Sequence, residues 1–468
     1  MASSACGAGT FASADGSACI LCANPRWCGP NSTCIEGRQG RGCFECATSF
    51  TPLQGACERC PAAQWVTLLP AALVFLVGLS ALILLRRAVR IAVAARQDGS
   101  VAADGHSAMK RVASAVVLLS AVQTACTIGS MDVGWPLSVR WANAVIGRVA
   151  TLNVVDAVSP QCLLPLEHSA RFALRMLLPL APIAVLGVLS ILLRPGTACE
   201  SLRHHVVCVQ TTLRGTSVSI FVLSFMLTSN TAASPFDCVG EGAGYMREKP
   251  DVRCEWGSEW DYYAGLGLAV LLSCTGVIFG IKHMLDKFAH RTHTDANFMR
   301  TLGSLYLRYE RGWLWWEAIV LTRKMMLVLI ARVLSRWPLA QLVGTATLMA
   351  GSMLLQLWQK PYLSDDLDRI EISMLAACGG HVALGFICYY SAPSEALVVA
   401  LVAALVLLAG ANAAPSLRRV WTGDSGKDSK TGDSGASVHD EEDDALPVQG
   451  DQCISVAKAA ETSKKYVV

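Results

Sequence analysis

Long apolar runs separated by short polar segments dominate this chain, and several runs exceed the about 18 residues that suggest a membrane-spanning helix. We place nine spans, at 65–85, 112–131, 172–193, 215–233, 262–285, 315–335, 339–358, 370–390 and 396–414. Polar blocks flank them on both sides. The sixth span differs from the rest. Arg323 and Lys324 stand side by side in the otherwise apolar stretch 313–333. A cation at bilayer depth costs about 2.5–3.5 kcal/mol, so it faces a partner, a bundle interior or a watery cavity.

Glu317 lies seven residues before Lys324, two helical turns away, so both point the same way, whereas Arg323 is rotated by about 100°. The start of the eighth span carries Asp365, Asp366, Asp368 and Glu371. An interhelical ion-pair cluster is therefore feasible, with Lys324 facing the same neighbour as Glu317. Two other readings stay open: both cations snorkel to lipid phosphates and hold the span at depth, or they serve gating or permeation.

Composition agrees with the pattern: 53% of the 468 residues are hydrophobic and 16% charged, which excludes an ordinary soluble domain and predicts an all-α polytopic membrane protein. Orientation follows from the loops. Basic segments are Arg86, Arg87, Arg90, Arg96, Lys110 and Arg111; Arg194, Arg203 and Arg214; and Lys282, Lys287, Arg291, Arg300, Arg308 and Arg311. The positive-inside rule makes them cytosolic. The segment after the fourth span instead carries Asp237, Glu241, Glu248, Asp251, Glu255, Glu259 and Asp261 against Arg247, Lys249 and Arg253. It belongs outside. The amino terminus is then extracellular or lumenal and the carboxyl terminus cytosolic, in a plasma membrane or endomembrane.

Nine of the 19 cysteines fall in the first 60 residues: Cys6, Cys19, Cys22, Cys28, Cys34, Cys43, Cys46, Cys57 and Cys60. So short a segment builds little core, and disulfides in an oxidising compartment are the natural stabiliser. Cys19/Cys22 and Cys43/Cys46 also have the spacing of a zinc ribbon, which stays open as the alternative. The Asn31-Ser32-Thr33 sequon makes Asn31 a glycosylation candidate. The odd ninth cysteine pairs upstream, pairs with another outer loop, or is free. No apolar leader precedes Cys6, which fits a fragment, a mis-assigned start, or a short tail translocated by the first span itself. Cys238 and Cys254 predict a further disulfide closing the outer loop. Trp256, Trp260, Tyr262 and Tyr263 beside it read as an interfacial anchor.

Cys6-Gly7-Ala8-Gly9-Thr10-Phe11 with Gly16, Cys19 and Cys22 resembles cysteine-rich modules of epidermal-growth-factor-like (EGF-like) and ephrin-receptor-like type. That resemblance implies an extracellular spacer or binding module over 1–62. Leu305-Tyr306, Tyr309, Trp315-Trp316-Glu317, Arg323-Lys324, Gln341, Leu355-Gln356, Pro361-Tyr362 and Arg369-Ile370-Glu371 resemble the carboxy-terminal membrane domain of transient-receptor-potential-like (TRP-like) proteins of protists and algae. Gln123, Trp135-Pro136, Cys162 and Pro179 resemble its upstream portion. The resemblance implies a cation channel with a mechanical or osmotic trigger. The spans divide into a three-helix membrane region over 63–205 and a six-helix domain over 206–414, the TRP-like part, and the polar, acidic stretch 415–468 buries too little apolar surface to offset its ordering entropy, which predicts a disordered cytosolic tail. Implied partners are the lipid bilayer, cations, an extracellular protein or glycan ligand, and further copies of the chain; no nucleic acid is implied. One feature departs from the family: only about 391–395 separates the last two spans, too short for a re-entrant pore segment. A receptor or adhesion-type protein without conduction is the principal rival, and a transporter the third reading.

The remaining motifs read as structural. Cys199 and Cys208 with His204 and His205, and His290 with His293, suggest a metal only weakly. The Gly-Asp-Ser-Gly repeats at 423–426 and 432–435 lie in polar low-complexity sequence without a fold to hold a base. Gly276 and Gly280 predict close helix packing. The terminal Tyr466-Val467-Val468 suits a PDZ-type domain. We assign no catalytic residue, metal ligand or cofactor, since no nucleophile, base and orienting group share one membrane face.

Overall fold

A computed structural model describes residues 10–12, 19–21, 28–30, 33–39, 43, 45–47, 50–53, 56–60, 64–98, 102–131, 133–153, 168–193, 200–239, 244–292, 295–391 and 393–422. The amino-terminal segment forms three antiparallel hairpins: β1 (Thr10–Ala12) with β2 (Cys19–Leu21), β3 (Arg38–Gln39) with β4 (Glu45–Cys46), and β5 (Phe50–Leu53) with β6 (Ala56–Arg59). Strands this short bury little, and covalent links hold them: Cys34 pairs with Cys43 and Cys46 with Cys57, while Cys28 and Cys60 are also disulfide-bonded. Cys43 and Cys46 are therefore taken from the zinc-ribbon alternative. Gly37 sits at φ +82° with the Phe50 ring 2.7 Å from where a Cβ would stand, so only glycine fits this turn. Cys19 begins β2. Cys6, Cys22 and Asn31 lie outside the described residues, as do Cys162, Cys199 and His293.

Eleven helices follow among the described residues: α1 (Gln64–Asp98), α2 (Ala102–Gly129), α3 (Leu137–Ala150), α4 (His168–Leu192), α5 (Glu200–Ala233), α6 (Trp260–Lys287), α7 (Ala296–Tyr306), α8 (Trp316–Val333), α9 (Pro338–Gln359), α10 (Asp365–Ser391) and α11 (Glu395–Thr422). Eight of them, all but α3, α7 and α8, are long and apolar enough to cross a membrane. The α8 helix corresponds to the sixth predicted span. Its 18 residues reach about 27 Å, but Glu317, Arg323, Lys324 and Arg332 lower its hydropathy. It packs among α2, α5, α6 and α9, which gives those charges protein rather than lipid to face.

Several helices outrun the predicted spans because polar contacts continue beyond the apolar core. Arg86 of α1 is buried and donates to the carbonyls of Arg300 at 3.0 Å and Thr212 at 3.4 Å, tying α1, α5 and α7 together. The α7 helix is capped by Asp295, whose carboxylate accepts from the backbone of Asn297 and Phe298. It lays Met299, Leu302 and Leu305 against α1 and α5. The α11 helix continues past 414 to Thr422, where Arg419 reaches Asp366 at 3.0 Å. The acidic tail, both Gly-Asp-Ser-Gly repeats and the terminal peptide lie outside the described residues.

Three features depart from the pattern of apolar runs. First, α3 lies in no predicted span, because Arg140, Asn143 and Arg148 interrupt its apolar run. It begins where the Ser138 backbone donates to Glu395 at the start of α11 and packs Asn143 on Gly129 and Gly147 on Cys126 of α2. Its last carbonyl, Ala150, accepts from Gln123 at 2.8 Å. Gln123 lies six residues, about 9 Å, inside the end of α2, so α3 is a half-helix tucked into one half of the bundle. Second, the expected aromatic belt is split. Trp256 and Tyr262 are exposed, whereas Trp260 is buried and donates to the Pro235 carbonyl at 2.8 Å and Tyr263 is enclosed by Phe172 and His168.

Third, Gly276 and Gly280 approach no other helix among the described residues: a Cβ at either meets nothing within 4 Å. The close approach is made by Gly267 instead, where a Cβ would fall 2.3 Å from the Ala232 carbonyl oxygen of α5. Gly267→Ala is therefore expected to lower stability by about 1–3 kcal/mol through overpacking, and Gly276→Ala and Gly280→Ala to leave it unchanged. Thermal melting of the purified protein measures the difference; equal melting points for the three variants contradict this packing.

The loop between α5 and α6 folds into a three-stranded sheet, β7 (Cys238–Val239), β8 (Tyr245–Met246) and β9 (Lys249–Arg253), closed by the Cys238–Cys254 disulfide. Asp237 accepts from Arg247 at 2.9 Å and from Arg332 of α8 at 3.1 Å. Arg336 donates to the Cys238 carbonyl at 2.9 Å. The far end of α8 is thus fastened to the disulfide-closed loop.

Candidate functional site: a buried charge network around α8

The segment before α8 and the segment between α9 and α10 meet as a short antiparallel pairing. Glu310 donates its backbone N–H to Pro361 at 2.9 Å, Leu363 donates to Arg308 at 3.1 Å, and the Tyr309 and Tyr362 rings stand 5.0 Å apart. Local sequence sets this up. Lys360 ends α9 in the left-handed region, φ 42° and ψ 63°, and Pro361 cannot continue a helix.

This pairing drives Arg308 and Tyr309 inward onto Glu317 in the first turn of α8. Arg308 donates to the Glu317 carboxylate, and the Tyr309 hydroxyl donates to the same oxygen at 2.7 Å. Both members of the ion pair are almost wholly buried, 5% and 2% exposed. Burial by itself would lower the Arg308 guanidinium, but Glu317 and the two tyrosines hold it above its ordinary value. Burial and the neighbouring carboxylates push the Tyr309 and Tyr362 phenols well up, so both remain protonated.

One turn and a half further along α8, Arg323 donates to Glu371 of α10 at 2.6 Å, 10% and 5% exposed. Lys324 does not share Glu317's neighbour as its spacing suggested. Arg308 already occupies that carboxylate, and Lys324 turns to α2, donating to the Gln123 side chain at 3.0 Å. Gln123 in turn donates to the last carbonyl of α3. Among the described residues, Lys324 is the one cation of this cluster with no carboxylate in ion-pair range. Asp368 accepts from Gln356 at 2.9 Å and from the Tyr362 backbone at 3.4 Å. Asp366 belongs to the partly buried contact with Arg419, and Asp365 starts the same helix, α10.

The expected carboxylates therefore divide. Glu371 and Glu317 take one cation each, Asp368 holds a loop, Asp366 holds the end of α11, and none reaches Lys324. Arg308, Tyr309, Gln123, Gln356 and Tyr362 were not assigned to the network from sequence. In the sequence Arg308 reads as a loop cation, and the other four stand out only within the family resemblance. Chemically the arrangement is a set of fixed, desolvated charges bridging α2, α3, α8 and α10. Among the described residues no cluster of three His, Cys, Asp or Glu is placed to hold a metal.

Residues 206–417 match the family model described as transient receptor potential (TRP) ion channel. That stretch holds the network except Gln123, α3 and Arg419. No curated protein and no solved structure matches the chain. The helices long and apolar enough to cross a membrane make this a multipass membrane chain, and its 206–417 segment, which carries most of the buried charges, is similar to the TRP ion channel family.

Proposed function

We propose that the chain is a cation channel with its amino terminus outside and its carboxyl terminus in the cytosol. The observation that carries this reading is the match of 206–417 to the TRP ion channel family. Only 392–394 intervene between α10 and α11, so a path for ions is lined elsewhere. We assign it to the side of α2 that carries the half-helix α3, whose last carbonyl accepts from Gln123, the partner of Lys324, as ion sites at the ends of half-helices do. Lys324 then stands at its inner end as a positive barrier.

Purified full-length protein in planar bilayers tests the reading. Sodium and potassium currents above those of protein-free membranes are expected. Lys324→Gln should raise them about tenfold, since a unit charge about 10 Å away at an effective dielectric of about 20 costs a passing cation about 1.7 kcal/mol. Folded, reconstituted protein that passes no current under tension or osmotic gradient overturns it. The rival reading, a receptor or adhesion-type protein, draws on the short α10–α11 link and on the disulfide-bonded module. There the EGF-like 1–62 segment, glycosylated at Asn31, binds an extracellular protein or glycan, and silence in the bilayer with saturable binding by 1–62 favours it.

A further inference from the structure

The second half of α1, the first half of α2 and the end of α11 enclose an apolar groove of about 360 Å³, inside the about 300–1,000 Å³ span of binding sites. Leu84 and Ile91 of α1 face Val116 and Leu119 of α2 across it, and Trp421, the penultimate residue of α11, forms one side. Leu84, Ile91 and Trp421 are exposed, so the other helices of the bundle leave this slot uncovered among the described residues.

The charged lining is of one sign. Arg87 of α1 and Arg111 of α2 stand in it, and no carboxylate does among the described residues. Arg87 is exposed and forms no ion pair among those residues. Arg90, one turn further along α1, and Arg418, one turn before Trp421, are exposed as well and widen the cationic rim. A ligand that fits carries the complement of this order, a run of carboxylates followed directly by aliphatic side chains.

The chain itself carries such a segment. Asp440-Glu441-Glu442-Asp443-Asp444 is its longest acidic run, and Ala445-Leu446-Pro447-Val448 follows at once. The tail that bears it leaves α11 at Thr422, beside the Trp421 wall. Asp440 is 18 residues beyond Thr422, and a chain of that length spans at most about 60 Å, so the groove is well within reach. A covalent tether holds such a segment at an effective concentration on the order of millimolar, which makes even a weak contact count.

We propose that residues 440–448 dock in this groove of their own chain, with the acidic run on Arg87 and Arg111 and the Leu446 and Val448 side chains in the slot beside Trp421. The docked tail straps the end of α11 to α1 and α2. The inference is independent of conduction and of orientation, because the tail leaves the bundle at the groove whichever side of the membrane that is.

Full-length protein carrying the photocrosslinker p-benzoylphenylalanine in place of Ala445 is irradiated in phosphatidylcholine nanodiscs, and the adducts are mapped by mass spectrometry. The adduct should run at the mass of one chain and map to 84–91 or 111–119. Arg87→Glu with Arg111→Glu should lower its yield about tenfold, equivalent to about 1.4 kcal/mol, and lysines at 440–444 in that background should restore it. Leu446→Ser with Val448→Ser changes no residue of the bundle, leaves the charges in place and should lower the yield as well. Lys282→Gln on α6, away from the groove, should leave it unchanged. Adducts to lipid alone, adducts formed only between two chains, or a yield indifferent to Leu446→Ser with Val448→Ser overturn the proposal.

Discussion

Glu371→Gln will destabilise the protein by about 3–5 kcal/mol, because it leaves the Arg323 guanidinium buried in the bundle without its counter-charge. Glu317→Gln is expected to do the same to Arg308 and also weakens the Tyr309 hydrogen bond. The apolar double replacement Arg323→Met with Glu371→Leu should recover most of the loss, since removing both charges avoids their desolvation altogether. Fluorescence-detected size exclusion after heating ranks the variants. If Arg323 were snorkelling to lipid phosphates, Glu371→Gln would leave the profile of the native protein.

Loss of the Cys238–Cys254 disulfide is the second large effect. Replacing both cysteines by serine frees a closed loop with a sequence separation of 16 and should cost about 2–4 kcal/mol. It also loosens the anchor that Asp237 and the Cys238 carbonyl provide for Arg332 and Arg336 at the far end of α8. The same bond reports on orientation. On intact cells an impermeant maleimide should label this pair only after reduction, whereas Cys208, a free thiol near the opposite end of α5, should label only after permeabilisation. Labelling of Cys208 on intact cells reverses the proposed orientation.

The helical framework was largely legible in the residue pattern, with particular exceptions. Eight of the nine predicted spans coincide with helices long and apolar enough to cross a membrane, and the ninth, α8, is the charged one that the apolar stretch 313–333 had already set apart. Their polar extensions were not legible. Arg86 and Arg419 lengthen α1 and α11 by finding partners on other helices, which no single-helix average contains. The half-helix α3 escaped because its arginines and asparagine offset its apolar residues in any window, although those apolar residues share one face.

Burial of an apolar side chain depends on that side chain alone, summed along a helix, and so sequence by itself determined a polytopic bundle, its nearly uncharged spans and the oddity of Arg323 and Lys324. The partner of a buried charge depends on direction and distance across helices. Spacing made Lys324 and Glu317 neighbours, but the pairing of 308–310 with 361–363 delivers Arg308 to Glu317 first, leaving Lys324 to Gln123. Likewise a glycine's role depends on what stands opposite: Gly267 meets the Ala232 backbone while Gly276 and Gly280, about two and a half and three and a half turns further along the same helix, face open space. These choices belong to the tertiary structure because Coulomb and contact energies are properties of pairs, and only the fold decides which pairs exist.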